Sequence, residues 1–282
     1  MVNYQLSILV KVAVVKGERN LEPVYRALDL IDYAKVFEGK KRALIKVNFI
    51  TVKDWKTGAT TDPIVVEAIV NRLRLIGVEP TIIESDATGT NADKALVASG
   101  MKELCDRLNI GWINLRYDND RVEVPIPNGQ ALHSIRVPKI IMENPVISAA
   151  KLKTHGQTQV TLGMKNFFGL LPDKFKGKFH FLGIDKVITD ICSVIRPVLI
   201  VIDGFVALEG IGPVNGTPVK MDTIIAGTDQ VATDYIAAQI MGFNPEEIGH
   251  IRLAQERGLG SWIDIDVVGD GVTSVRRIFK RR

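Results

Sequence analysis

The residues able to do chemistry gather just after apolar runs. Lys151, Lys153, Thr154 and His155 follow the run ISAA, and Lys165 and Asn166 come ten residues after His155 in GMKNFFG. Alternate side chains of an extended chain share a face, so Lys151 and Lys153 point the same way. Two ammonium groups beside a histidine need an anion or a carboxylate to neutralise them. The histidine should have a lowered pKa and stay neutral at pH 7, as suits a general acid or base or a metal ligand. We therefore expect His155 and Lys153 to be catalytic, and Lys151, Lys165 and Asn166 to hold a substrate. The competing reading of an isolated Lys-x-Lys pair is plain surface charge.

A second place is Lys46-Val47-Asn48, where alternation puts Lys46 and Asn48 on one side of a strand that should be buried. Thr60 and Thr61 precede a helix start, where free backbone N–H groups and the helix dipole attract phosphate or carboxylate. All four are expected substrate-binding residues, with capping plus a structural ion pair as the alternative. Glu84 and Asp86 lie at i and i+2 at the end of an apolar strand, able to bind a metal, a sugar hydroxyl or a lysine. Asp203, ending LIVID, and Glu209, in the Gly-rich loop after it, complete a candidate set for a divalent metal. That loop, ALEGIGP, has the glycines for close backbone approach but neither the spacing nor the following helix of an ATP- or dinucleotide-binding motif. The basic run KFKGKFH, residues 174–180, is by default a solvated turn; its aromatic residues and His180 suggest a lid over an anion.

Positioning these residues requires strands that end on one edge of a sheet. β-branched apolar runs alternate with amphipathic stretches: VKVAVVK (10–16), a helical pattern over 21–33, then RALIKVNF (42–49). Asp62-Pro63 is a cap followed by proline at the first helical position, with apolar residues at 65, 66, 69, 70, 73 and 76 and a stop at Gly77. Strands are expected at 80–86 and 111–118 around helical segments over 92–108. Residues 119–139 read as a β-hairpin excursion turning at Asn128-Gly129. Beyond it come a strand at 144–150, helices over 160–171 and 184–195, strands at 197–205 and 221–227, helices over 230–241 and from 244, and a strand at 263–269. The fold class is α/β, two-lobed, with mainly parallel sheets flanked by helices. The expected division is residues 1–140 and 141–282, with an interlobe cleft at the carboxyl ends of the strands.

The chain has 282 residues, 46% hydrophobic and 24% charged, enough to bury a large core, which excludes disordered, collagen-like and disulfide-framework classes. Only Cys105 and Cys192 are present, so no intrinsic iron–sulfur cluster is expected and the usage suggests a reducing compartment. No apolar run approaches the roughly 20 residues of a membrane span. The start lacks a small-residue cleavage site, so the expected location is cytoplasmic without membrane attachment. The net charge is +4, but Arg276, Arg277, Lys280, Arg281 and Arg282 hold five cations, and the remainder is at −1. The basicity is a tail rather than a nucleic-acid footprint.

The ordered set KVNF, TTDP, KLKTH, MKNFFGLLP, the Asp-Gly to Ala-Leu-Glu-Gly loop and ATDYIA resembles a conserved family of unknown function, the one numbered 362 among unassigned domains. The resemblance spans roughly residues 40 to 262, and its specific part is the KLKTH and MKNFFGL pair. Many members carry a ferredoxin-like segment with cysteines in CxxC spacing, absent from this sequence; the resemblance implies a possible ferredoxin-like partner instead. The layout is also similar to the nickel-pincer lactate racemase group, which implies a cleft faced by His155 and Lys165. Two functions follow. One is an enzyme on a small phosphate- or carboxylate-bearing ligand, with metal assistance open. The other is a non-catalytic protein that binds a metal, a metallocofactor or an iron–sulfur partner.

Overall fold

A computed structural model describes residues 9–281. The expectation about a leader at the start of the chain, and Arg282 of the basic tail, involve positions outside the described residues. Eleven strands are described: β1 (Val10–Lys16), β2 (Arg42–Lys46), β3 (Glu79–Glu84), β4 (Gly111–Asn114), β5 (Arg121–Pro125), β6 (Ser134–Pro138), β7 (Val146–His155), β8 (Gln159–Thr161), β9 (Pro197–Glu209), β10 (Thr217–Gly227) and β11 (Ile265–Gly269). Among the described residues nine of them form one sheet in the order β11-β1-β10-β9-β7-β2-β3-β4, with β8 beside β7, while β5 and β6 form a separate antiparallel pair. The hairpin over 119–139 is thus present.

Strands β9, β7, β2, β3 and β4 are mutually parallel, and β10 runs against its neighbours β9 and β1. The fold is therefore α/β with a mixed, mostly parallel sheet. It is continuous across residue 140: Leu44 of β2 sits opposite Val146 of β7, and β1 lies between β10 and β11.

Parallel neighbours need crossovers, and here these are helices on both faces. The helices Glu22–Leu30, Pro63–Leu75, Ala92–Ala98 and Met101–Leu108 pack on one face, around Ile45, Val66, Ile69 and Val201. The helices Ile184–Val194, Gln230–Ile240 and Gly249–Glu256 pack on the other, around Leu152, Ile188, Ile202 and Ile236. Buried on both sides, β7 and β9 read as near-continuous apolar runs rather than alternating ones. Helix starts follow local chemistry. The Asp62 carboxylate accepts from Ile64 N at 3.0 Å ahead of Pro63, and Asp229 accepts from Val231 N and Ala232 N, both at 2.8 Å.

Two expected elements differ. KLKTH is not a loop after a strand but the last part of β7, because β8 pairs with it antiparallel, Lys153 opposite Thr161 and His155 opposite Gln159. The helix expected over 160–171 is instead β8, a short helix Gly163–Asn166 and a 3-10 turn Phe167–Leu170. The helix begins at Gly163 because the buried Asp234 carboxylate accepts from Gly163 N at 2.7 Å and Met164 N at 2.9 Å. Gly163 leaves room for this contact, since a Cβ there would lie 2.8 Å from Asp234 Oδ1.

Candidate functional site

In the parallel part of the sheet the order β9-β7-β2-β3-β4 reverses direction of travel between β2 and β7. At such a switch point the crossovers leave toward opposite faces and open a crevice at the carboxyl ends of the strands. A cavity of about 150 Å³ lies here, lined by residues from the ends of β2, β3 and β7 and from residues 161–180, with Pro213. That volume suits a small molecule; it is below the range of pockets for drug-sized ligands.

The floor is a buried polar hub. Lys46 Nζ lies 2.7 Å from Glu84 Oε1 and donates to Val47 O at 2.7 Å and Asn166 Oδ1 at 3.2 Å. Burial pushes the Lys46 ammonium below the usual lysine range, against the opposing charge of Glu84. The other Glu84 oxygen accepts from Phe49 N at 3.0 Å. Asn166 uses its whole side-chain amide: Oδ1 accepts from Lys46 and Asn48 Nδ2, and Nδ2 donates to Lys46 O and Ser148 Oγ. Gly169 covers the ion pair so closely that a Cβ would lie 2.5 Å from Lys46 Nζ and 2.7 Å from Glu84 Oε1. No other residue type fits there without moving the pair.

Three more lysines line the cavity. Lys153 is fully buried and donates to Asn48 Oδ1 and Ala59 O, both at 2.6 Å. Among the described residues it has no carboxylate partner. Burial, then the charges of Lys165 and Lys151, push its ammonium well below the ordinary range. Lys176 donates to Ser85 Oγ at 2.7 Å, and burial pushes it down to about 7. Lys165 stands 5.4 Å from the centre of the Phe168 ring, and burial pushes it down to about 8. Among the described residues four lysines therefore face one carboxylate, Glu84.

His155 Nδ1 accepts from the backbone N–H groups of Gln157 at 3.2 Å and Thr158 at 3.3 Å. A ring nitrogen that accepts carries no proton, so the neutral ring bears its hydrogen on Nε2. Burial, then Lys165 and Lys153, hold the ring neutral by pushing its pKa down to about 2. His155 thus offers the cavity a hydrogen-bond donor, and acts as a base at Nε2 only after changing tautomer. His180 pairs with Gln157 Oε1 and stands edge-on to Phe168. Thr161 Oγ1, buried and lining the cavity, has no hydrogen-bond partner among the described residues. An unsatisfied buried hydroxyl is costly, and a ligand atom would relieve it.

The structure brings together Lys46, Asn48, Glu84, Lys153, His155, Lys165 and Asn166 of the expected site. It places the others elsewhere. Lys151 lies opposite Asp203 in the β7–β9 register, and the two close a fully buried ion pair at 2.6 Å. Neither Lys151 nor Asp203 lines the cavity, and the β7–β9 register shifts between Lys151 and Lys153. Thr60 Oγ1 donates to Lys53 O, and Thr61 Oγ1 ties Asn48 N to Ala149 O. The helix start after them is occupied by Asp62, itself clamped by Arg19 at 2.6 and 2.8 Å. Asp86 accepts from Ala92 N and Asn114 Nδ2, and Glu209 accepts from Lys280 N. The four carboxylates expected as metal ligands, Glu84, Asp86, Asp203 and Glu209, each have separate partners. Among the described residues no three His, Cys, Asp or Glu side chains group as metal ligands. Cys105 and Cys192 are buried, and burial pushes the Cys105 thiol up to about 11 and Cys192 up as well.

Lys176, Ser85, Thr161 and Gly169 complete the site. Nothing in the run KFKGKFH marks Lys176 as the buried member, because Lys178 likewise stands between a glycine and a phenylalanine. What sets Lys176 apart is its reach to Ser85 Oγ at 2.7 Å, beside the Phe168 ring.

The family model described as "Domain of unknown function (DUF362)" matches residues 43–239, a span that holds every lining residue of the cavity. The chain belongs to this family. A "thylakoid-associated protein" of Synechocystis sp. is 28% identical over 225 residues, covering 77% of this chain and 68% of its own. A solved structure, the lactate racemase apoprotein from Thermoanaerobacterium thermosaccharolyticum, superposes with a TM-score of 0.42 at 12% identity, over 83% of this chain. The superposed part is 57% of that chain, little more than half its length. Among the described residues no helix is long and apolar enough to cross a membrane.

Proposed function

We propose that this protein is an enzyme whose cavity at the β2–β7 switch point takes a small anion bearing a phosphate or carboxylate group. The observation that carries the reading is the imbalance of four lining lysines against one carboxylate. Buried like charges cost free energy unless an anion answers them or they lose protons. Lys46 is answered by Glu84, and burial drives Lys153 toward the neutral amine. Lys165 and Lys176 remain to meet one or two negative charges. Asn48 and Asn166 hold the lysine heads in place, and Thr161 Oγ1 and the His155 Nε2–H supply neutral hydrogen bonds. His155, which changes tautomer to act as a base, and Lys153, whose ammonium burial pushes well below the ordinary range, are the groups suited to move a proton.

Calorimetric titration with inorganic phosphate at pH 6.5 tests the reading. Wild type binds one phosphate per chain, and Lys176→Met weakens it at least about tenfold, the worth of one charge-assisted hydrogen bond. Equal binding by the variant, or no binding by wild type, rejects the site.

A further inference from the structure

Of the four lining lysines, three have protein partners for their nitrogens and one does not. Lys46 has Glu84, Val47 O and Asn166; Lys153 has Asn48 and Ala59 O; Lys176 has Ser85. Among the described residues Lys165 Nζ has no hydrogen-bond or ion-pair partner. It faces the cavity beside the Phe168 ring, with other ammonium groups nearby. The Asp185 carboxylate acts on it only through space, and burial outweighs that charge; an amine so placed, with nothing accepting its protons, is available as a nucleophile rather than as a structural cation. His155 lines the same cavity, and the other nitrogen of its ring is an N–H donor of the kind that polarises a carbonyl oxygen.

We propose that Lys165 captures a small 2-oxo acid in this cavity as an imine, with Lys176 holding its carboxylate. This rests on the anion reading of the cavity and narrows its substrate class. The Lys165 Nζ lone pair forms a bond to the carbonyl carbon while the carbon–oxygen π pair moves to oxygen. The oxygen then leaves as water with both amine protons, and the imine nitrogen takes one proton from solvent. Nothing is oxidised or reduced. Imine formation requires the free Lys165 amine and holding the carboxylate requires the charged Lys176, so capture peaks between about pH 7 and 8, where burial places the two titrations.

The test treats the full chain with pyruvate and sodium cyanoborohydride at pH 8, which delivers hydride to an imine carbon and leaves a stable secondary amine. Peptide mapping by mass spectrometry then locates the label. The expected result is one reduced pyruvyl group per chain on Lys165, at least about tenfold over the exposed Lys220, since the cavity holds the pyruvate carboxylate with its carbonyl beside this amine. Acetone, a carbonyl without an anionic group, gives no such selectivity, and Lys165→Arg, which keeps the charge, abolishes the label. Label spread over surface lysines, label centred on another lining lysine, or equal labelling by acetone overturns the proposal. Phosphate titration of the same sample separates the two readings. Phosphate binding without a Lys165 adduct overturns only the imine, whereas absence of both also removes the anion site on which it rests.

Discussion

Glu84→Gln is the perturbation whose size follows most directly from the site. It keeps the side-chain shape and removes the sole lining carboxylate among the described residues, leaving Lys46 buried without a counter-charge. The cheapest response is for Lys46 to lose its proton on folding. At pH 7, relative to an unfolded lysine of pKa about 10.4, this costs about 5 kcal/mol at 1.36 kcal/mol per unit. That is a ceiling on the pH-dependent part, and it agrees with the 3–5 kcal/mol typical of breaking a buried pair. The hydrogen bond lost from one carboxylate oxygen adds about 1 kcal/mol that does not vary with pH. The sign is fixed by linkage. In the variant the folded pKa of Lys46 is depressed, so the unfolded state binds the extra proton and stability rises with pH. The loss relative to wild type should therefore shrink by roughly 3 kcal/mol between pH 7 and pH 9. Urea unfolding of both proteins at the two pH values measures it. A loss that is the same at both, or below about 1 kcal/mol at pH 7, would refute the argument that Glu84 keeps Lys46 charged.

Two other outcomes follow from the same geometry. Sulfate, whose charge is constant near neutrality, should bind more weakly as pH rises from 6.5 to 8.5, because Lys176 titrates at about 7 and Lys165 at about 8. If both ammonium groups are needed, the fall is roughly tenfold to a hundredfold, and calorimetry showing a flat profile would remove them from the site. Asp229→Ala, which removes a cap accepting from Val231 N and Ala232 N, should cost about 0.5–2 kcal/mol of stability and leave phosphate binding unchanged. A loss of phosphate binding in that folded variant would contradict its purely structural role.

Much of this was legible because strand ends carry their chemistry in one dimension. Lys46, Glu84, Lys153 and His155 each follow an apolar run, and a parallel sheet gathers such ends on one edge. Lys151 looked equivalent to Lys153. What separates them is the pairing of β7 with β9, which sets Lys151 beside Asp203, and then a register shift that only the three-dimensional pairing contains. Thr60 and Thr61 resembled an anion site because the helix start after them is real. The Asp62 carboxylate accepts from Ile64 N there, and Arg19, more than forty residues earlier, completes that arrangement. The carboxylates read as a metal set failed to converge for the same reason, since each found a nearer donor. The helical pattern over 160–171 was broken by Asp234, a capping residue some seventy positions away in sequence. Long-range hydrogen bonds to buried carboxylates are what pattern reading does not reach.

The central claim is that the lysine-lined cavity is an anion site, and the most direct measurement is anomalous scattering from crystals soaked in selenate at pH 6.5. The account predicts a selenium peak inside the cavity, within hydrogen-bonding distance of Lys165 and Lys176 and of the unpartnered Thr161 Oγ1. Peaks confined to surface cations, with the cavity holding none, would contradict it.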